Sequence, residues 1–172
     1  MARPTRAEAL ATIQEGQARL DELLSGLSDD ELSRAATIGG GDWAAKDLVG
    51  HVAFWEEIAL ETLEAWRRGE KPRVEETFTS GGTDSLNRWN YERKREWSVE
   101  KVRRESNETH RRLLEELASL TDEEWQSKAP FPTERRKHLR SELGAVLGAP
   151  KRPFGHAFAH IPDLEAYVAT LR

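Results

Sequence analysis

The 172-residue chain contains no cysteine and no long hydrophobic run. Without cysteine it can form neither a disulfide nor a thiolate metal site, and it has no cysteine nucleophile. Any thiol that takes part in its chemistry must therefore come from a second substrate. No stretch approaches the roughly 20 apolar residues that a transmembrane helix requires, and acidic residues precede any apolar run of signal-peptide length. We therefore expect a cytoplasmic protein without a membrane partner.

Glycine and proline are also scarce, with 12 and 7 copies, and alanine, leucine, glutamate and arginine dominate the stretches between them. This balance favours helix over strand, and the length suits one domain rather than several. The net charge of −5 argues against nucleic acid as a general partner, because phosphates would repel the surface on average. The composition thus predicts one all-α domain over residues 1–172.

Hydrophobic periodicity predicts where the first two main helices lie. The first runs from about residue 5 to 26, and Ser28 begins a short helical turn after it. The second covers roughly residues 43 to 68, with Asp42 as its N-cap. Residues 70–84 carry a proline and two adjacent glycines, so they are predicted to form a long surface crossover.

The second half of the chain contains the other two main helices. A third helical region extends from about residue 85 to 120, and Ser98 marks a break within it. Residues 127–153 contain four prolines and are predicted to be mostly irregular. The last helix then runs from Phe154 nearly to Arg172. The chain is therefore predicted to be a four-helix bundle with a long crossover connection.

Three histidines occupy inward or bordering positions on two of these helices. His156 and His160 lie four residues apart beside the apolar stripe of the last helix, in the same row as Tyr167. Adjacent turns bring such side chains within about 6 Å at Cβ, so the pair could bind one ion. His51 lies on the inward face of the second helix and could supply a third ligand. The alternative is that all three are ordinary packing or surface histidines.

Other ionisable residues are predicted to lie on the surface. His110 and His138 have strongly basic neighbours, which would repel a cation. Residues 88–112 hold nine Lys or Arg against five Glu with interleaved aromatic residues, so a nucleic-acid surface must be considered. The alternation of sign favours a salt-bridged exposed face instead. Glu56 and Glu57 lie in an acidic run that is typical of a solvated face.

Further residues around His51 are candidates for supporting roles. Asp47, one turn earlier, could accept the proton of a non-ligating imidazole nitrogen, or could simply be an acid favoured in the first helical turn. Four aromatic residues could form the wall of an apolar pocket near an ion, although ordinary core packing is the alternative; these are Trp43, Trp55, Trp89 and Tyr167.

Two stretches, WAAKDLVGHVAFWE and HAFAHIPDLEAYV, resemble the DinB/YfiT-like family of metalloenzymes. In that family Trp, Asp and His follow one another at four-residue intervals on the second helix, as Trp43, Asp47 and His51 do here. A histidine pair lies on its fourth helix, as His156 and His160 do. The segment TDSLNRWNYERKREWSVEKV is also similar to relatives, which often show an Asp-x-x-Asn there. The resemblance implies a DinB-like four-helix bundle that holds a divalent metal ion on the three histidines.

The resemblance also implies a class of function. The family is functionally mixed, so we expect a metal-dependent hydrolase or, as in relatives, a thiol-dependent transferase or isomerase. Its substrate would be a small molecule, with a low-molecular-weight thiol as one option, and family members often pair as dimers, which implies a homodimer. Zinc or nickel is the expected metal, with iron or copper as alternatives. Pro162 departs from the family pattern and is predicted to bend the last helix near the site. The rival hypothesis is a non-catalytic binding or stress-response bundle with a partner near Arg103 and Arg104.

Overall fold

The computed structural model describes residues 4–39 and 41–172, which form nine α-helices and no β-strand. The bounds are α1 Arg6–Leu24, α2 Asp29–Ser33, α3 Ala45–Arg67, α4 Arg73–Ser80, α5 Thr83–Lys94, α6 Val99–Ser119, α7 Asp122–Gln126, α8 Leu139–Val146 and α9 His156–Ala169. The long helices α1, α3, α6 and α9 confirm the prediction of an all-helical fold with four main helices. None of these helices is long and apolar enough to cross a membrane.

Helix starts follow the capping chemistry of the sequence in most places. Ser28 forms a capping box with Glu31, which confirms the predicted short turn at α2. Ser98 accepts a hydrogen bond from the Lys101 amide, which confirms the predicted break between α5 and α6. The prediction of Asp42 as the N-cap of α3 is wrong. The helix begins later, at Ala45, because the Asp47 carboxylate reaches back to accept from the Ala44 amide at 2.9 Å.

The predicted surface crossover at residues 70–84 is also wrong, since most of it is helical. Pro72 immediately precedes α4. At a helix start the fixed φ of proline and its lack of an amide proton do not destabilise the helix. Gly81 ends that helix in the left-handed region, with a φ of 71°. Val74 and Glu75 of α4 are buried, so this segment packs against the bundle and forms part of its wall.

The packing of α3 and α9 determines the position of the histidines. α3 lies at the centre and packs against α5, α6, α8 and α9, while α1 packs along α9. At Gly16 of α1 the helices approach so closely that an added Cβ would lie 3.0 Å from the Cβ of Ala157. The absence of a side chain at Gly16 therefore lets the first turn of α9 lie directly against α1. α9 continues through Pro162 without interruption.

Candidate metal centre

The structure brings His51, His156 and His160 together. His51 is buried in the second turn of α3, His156 is the first residue of α9, and His160 lies one turn further along. The Nε2 atom of His156 is 3.1 Å from Nε2 of His51 and 3.2 Å from Nε2 of His160. The three rings stand edge to face in each pair, with centroids 4.9 Å apart. Three imidazole nitrogens from two helices thus converge on one point.

The spacing of these nitrogens fits a shared cation better than it fits hydrogen bonds. Two imidazole nitrogens on one tetrahedral zinc ion, each about 2.0–2.1 Å from it, lie about 3.3 Å apart. A hydrogen-bonded explanation fails for one contact, because the Nε2 atom of His156 either carries one proton or offers one lone pair. It cannot bond to both neighbours at once. A cation among the three atoms would use all three lone pairs.

The electrostatic surroundings keep the histidines in the neutral form that binds metal. Burial, together with the neighbouring imidazoles of the other two histidines and the charge of Lys94, lowers the pKa of His51 to about 2. Burial and the proximity of His160 lower the pKa of His156 to about 3. Burial also lowers the pKa of His160, although Asp163 opposes this effect. Because all three rings are neutral at physiological pH, their lone pairs are available to an ion.

The expected support of the cluster by Asp47 is not what the structure shows. Its Oδ2 accepts from the Ala44 amide, and its Oδ1 lies 3.8 Å from the Lys46 ammonium, so the carboxylate serves the start of α3. The Nδ1 atoms of His51 and His156 are buried and have no hydrogen-bond partner within the described part of the chain. Most metal-bound histidines donate the proton on the nitrogen that does not bind the metal, here Nδ1, to a hydrogen-bond acceptor. Here the two rings are oriented by packing instead.

A cavity of about 290 Å³ adjoins the cluster and is lined in part by the three histidines. Trp55 forms one wall, as the sequence predicted for a pocket residue, and its ring meets that of His156 edge to face at 6.0 Å. Phe78 of α4 stacks on Trp55 at a centroid distance of 6.0 Å. Residues 148–150, in the connection between α8 and α9, also line the cavity. A small molecule in this cavity would therefore lie beside the imidazole nitrogens.

The remaining aromatic candidates do not line the cavity. Tyr167 is buried, and its hydroxyl donates to the Glu31 carbonyl at 2.7 Å, which ties α9 to α2. Trp43, which precedes α3, packs on the ring of His51 at a centroid distance of 4.9 Å. Trp89 is 53% exposed and lies beneath the Arg93 guanidinium at 4.7 Å. Among the four aromatic candidates, Trp55 is the one that lines the cavity.

A sequence model of the DinB superfamily matches residues 12–167 of the chain. The chain belongs to the DinB superfamily. The match includes all three converging histidines and nearly every helix of the bundle. A comparison with curated proteins found no match.

Solved structures share the DinB fold with this chain at low sequence identity. An uncharacterised protein from Escherichia coli UTI89 is 17% identical with a TM-score of 0.75, over 97% of this chain and 94% of that one. The colibactin self-resistance protein ClbS, solved in complex with double-stranded DNA, is 15% identical with a TM-score of 0.71, over 95% and 98%. A Streptococcus pneumoniae protein is 16% identical with a TM-score of 0.60, over 99% and 87%. These likenesses concern the fold.

Two predictions about surface residues of this DinB bundle need correction. His110 is half-buried, and its Nδ1 lies 2.8 Å from Oε1 of Glu56. Glu56 is only 5% exposed, so it does not belong to a solvated face. Sequence periodicity could not reveal this pair, because Glu56 lies on α3 and His110 lies on α6, 54 residues later in the chain. His138 is half-buried, with Nδ1 2.9 Å from the Gln126 carbonyl.

The basic segment at residues 88–112 of the DinB bundle is rich in ion pairs, as the alternation of charge predicted. Arg88 lies 3.7 Å from Glu92, and Arg104 lies 3.8 Å from Glu100. Lys94 departs from the pattern, because it is buried and its ammonium lies 2.6 Å from Glu105. The expectation that nucleic acid is not a partner gains no support from the comparisons, since ClbS was solved with double-stranded DNA.

Proposed function

We propose that this protein is a metal-dependent enzyme that holds a divalent ion on His51, His156 and His160. The observation that carries the proposal is the convergence of three neutral imidazole nitrogens beside a cavity. Structural zinc sites usually have four protein ligands, whereas catalytic sites leave a position open. Three ligands facing a cavity fit the second kind.

The reaction class follows from the donor set and its surroundings. A divalent ion on three neutral imidazoles keeps its full charge, so when bound it polarises a substrate oxygen or thiol at the open position. The protein's own part is to fix the nitrogens through α3 and α9 and to exclude water with Trp55 and Phe78. We therefore propose a hydrolase, or a transferase or isomerase that uses a small thiol. Zinc or nickel is the proposed metal, with iron or copper as alternatives.

Metal content is the direct test. We would measure it by plasma mass spectrometry on untagged protein, for the wild type, His51→Ala, His156→Ala and His138→Ala. We expect about one equivalent in the wild type and in His138→Ala, which alters a histidine outside the cluster, and none in the other two variants. A wild-type protein that takes up neither zinc nor nickel, or that keeps its metal in both cluster variants, would contradict the proposal.

A second candidate is a non-catalytic binding protein, and the DNA complex of ClbS favours nucleic acid as its partner. Arg103 and Arg104 are exposed on α6 and would be the contact residues. Charge reversal at both positions should then weaken binding to a double-stranded oligonucleotide and reduce the salt dependence of that binding. Alanine at the three histidines should leave that binding unchanged. If the wild type does not bind DNA at low salt, this candidate is wrong.

A further inference from the structure

We propose that the cavity beside the histidines binds the uncharged part of a small molecule, and that Asn87 selects this part by donating a hydrogen bond to it. This inference rests on the proposed metal site and concerns what that site accepts. It assigns a role to Asn87 of α5, which lines the cavity together with Trp55 and Phe78.

The first observation is the lack of charge on the cavity wall. None of the residues that line the cavity is Asp, Glu, Lys or Arg, although 33% of the chain is charged. Away from the proposed metal ion, an ionised group placed there would lose its hydration without gaining an ionic partner among the lining side chains, which is unfavourable. The volume of about 290 Å³ is at the lower end of the range for ligand pockets, about 300–1,000 Å³. The cavity therefore suits a small uncharged group and disfavours a carboxylate or an ammonium.

The second observation concerns the orientation of the Asn87 amide. Its Oδ1 accepts a hydrogen bond from Nε1 of Trp55 at 3.0 Å. The indole nitrogen can only donate, so the oxygen of the amide must face it and the Nδ2 group must face away. Within the part of the chain that the structure describes, Nδ2 of Asn87 has no hydrogen-bond acceptor. Asn87 thus presents a fixed donor, which matches a carbonyl or another acceptor on the ligand.

The third observation is that the aromatic wall next to Asn87 is held in place. Phe78 stacks on Trp55 with an interplanar angle of 12°, and the guanidinium of Arg136 lies 4.4 Å from the Phe78 ring. Arg136 is itself fixed by an ion pair with the buried Glu75. A flat apolar group between the histidines and Asn87 would therefore meet preorganised aromatic surface, which lowers the entropic cost of binding.

The test uses cobalt-loaded protein and two rigid thiols, 4-mercaptobenzamide and 4-mercaptobenzoate. In both probes the thiol can reach the metal while the para substituent points away from it, so the carboxylate cannot chelate. Dissociation constants come from the thiolate-to-cobalt absorption band. We expect the amide to bind at least tenfold more tightly than the carboxylate. Asn87→Asp keeps an acceptor for Trp55 but loses the donor, and both it and Asn87→Ala should weaken amide binding about five- to tenfold. The control is Asn107→Ala on the exposed face of α6.

The outcomes separate this inference from the metal proposal. If the protein takes up neither cobalt nor zinc nor nickel, the metal site fails and the inference fails with it. If cobalt binds but neither thiol does, or both thiols bind equally, the metal site stands and the uncharged-ligand inference is overturned. If the amide is preferred but both Asn87 variants bind it as the wild type does, the assigned role of Asn87 is wrong.

Discussion

A buried pair of carboxyl groups should make the stability of this protein depend on pH. Glu75 of α4 and Glu142 of α8 are 3% and 1% exposed, and Arg136 forms an ion pair with Glu75. Burial, with the hydrogen bond to Glu75 and its charge, raises the pKa of Glu142 to about 8. For Glu75 burial acts in the same direction, but hydrogen bonds from Glu142 and Arg136 outweigh it and lower the pKa. Below a pH of about 8 the folded protein therefore keeps Glu142 protonated beside the Glu75 carboxylate.

The sign and size of the effect follow from proton linkage. Between the ordinary pKa of 4.5 and about 8, the folded state binds a proton at Glu142 that the unfolded state has released. The contribution of Glu142 to stability is therefore complete below the lower value and falls as pH rises, by at most about 1.4 kcal/mol per pH unit. Across the whole window this amounts to roughly 4 to 5 kcal/mol. From pH 6 to pH 8 we expect a loss of about 2 kcal/mol.

The assay compares the wild type with Glu142→Gln by urea denaturation at pH 6, 7 and 8, followed by circular dichroism. Glutamine keeps a donor for Glu75 but cannot ionise, so the pH-dependent loss should disappear in this variant. Other titrating groups are common to both proteins and cancel in the difference. Glu61→Gln, which alters an exposed glutamate on α3, should behave as the wild type does. Equal pH dependence in the wild type and Glu142→Gln would refute the reasoning.

Three further predictions concern packing, a buried ion pair and the metal. Gly16→Leu should destabilise the fold by about 1–3 kcal/mol and weaken metal binding, because the new side chain would collide with Ala157. The control is Gly26→Leu, where an added Cβ meets nothing, so neither stability nor metal binding should change. Urea denaturation and metal titration measure the two effects. His110→Ala should cost about 1–3 kcal/mol in urea because Glu56 stays buried without a partner, and a neutral result would show that the pair is unimportant. Zinc at about 100 times its dissociation constant should stabilise the wild type by about 2.7 kcal/mol in thermal unfolding; a variant with alanine at all three cluster histidines should show no such gain.

The sequence was informative about the cluster because helical spacing is a local property. His156 and His160 must share a face of α9 if that helix forms, and the apolar positions around His51 place it on the inward side of α3. The structure confirms both orientations, since His51 is 4% exposed and the three rings meet. The break before Ser98 was equally predictable, because a capping serine acts within four residues of itself.

Contacts between distant segments were not predictable in this way. Glu56 lies in a run of acidic residues that is typical of solvent, and only the packing of α6 on α3 places His110 beside it. The prediction of a surface crossover at residues 70–84 is wrong because Pro72 and Gly81 are as typical of loops as of helix ends. In the structure they precede and end a helix, as proline and glycine do at opposite helix ends. The sequence gives Asn87 no role of its own, since no local pattern indicates that its amide meets the indole of Trp55.

The unpartnered Nδ1 atoms of His51 and His156 connect the fold to the chemistry of the proposed site. Loss of the usual acceptor for this proton typically weakens metal binding 10- to 100-fold, so affinity here must rest on how well the rings are preoriented. That orientation comes from two contacts outside the cluster. Trp43 packs on His51, and the missing side chain of Gly16 lets α9 approach α1. A protein that holds its ligands by packing rather than by hydrogen bonds should be sensitive to small shifts of α9. We therefore expect Gly16 to affect the proposed metal site although it has no side chain to contribute to it.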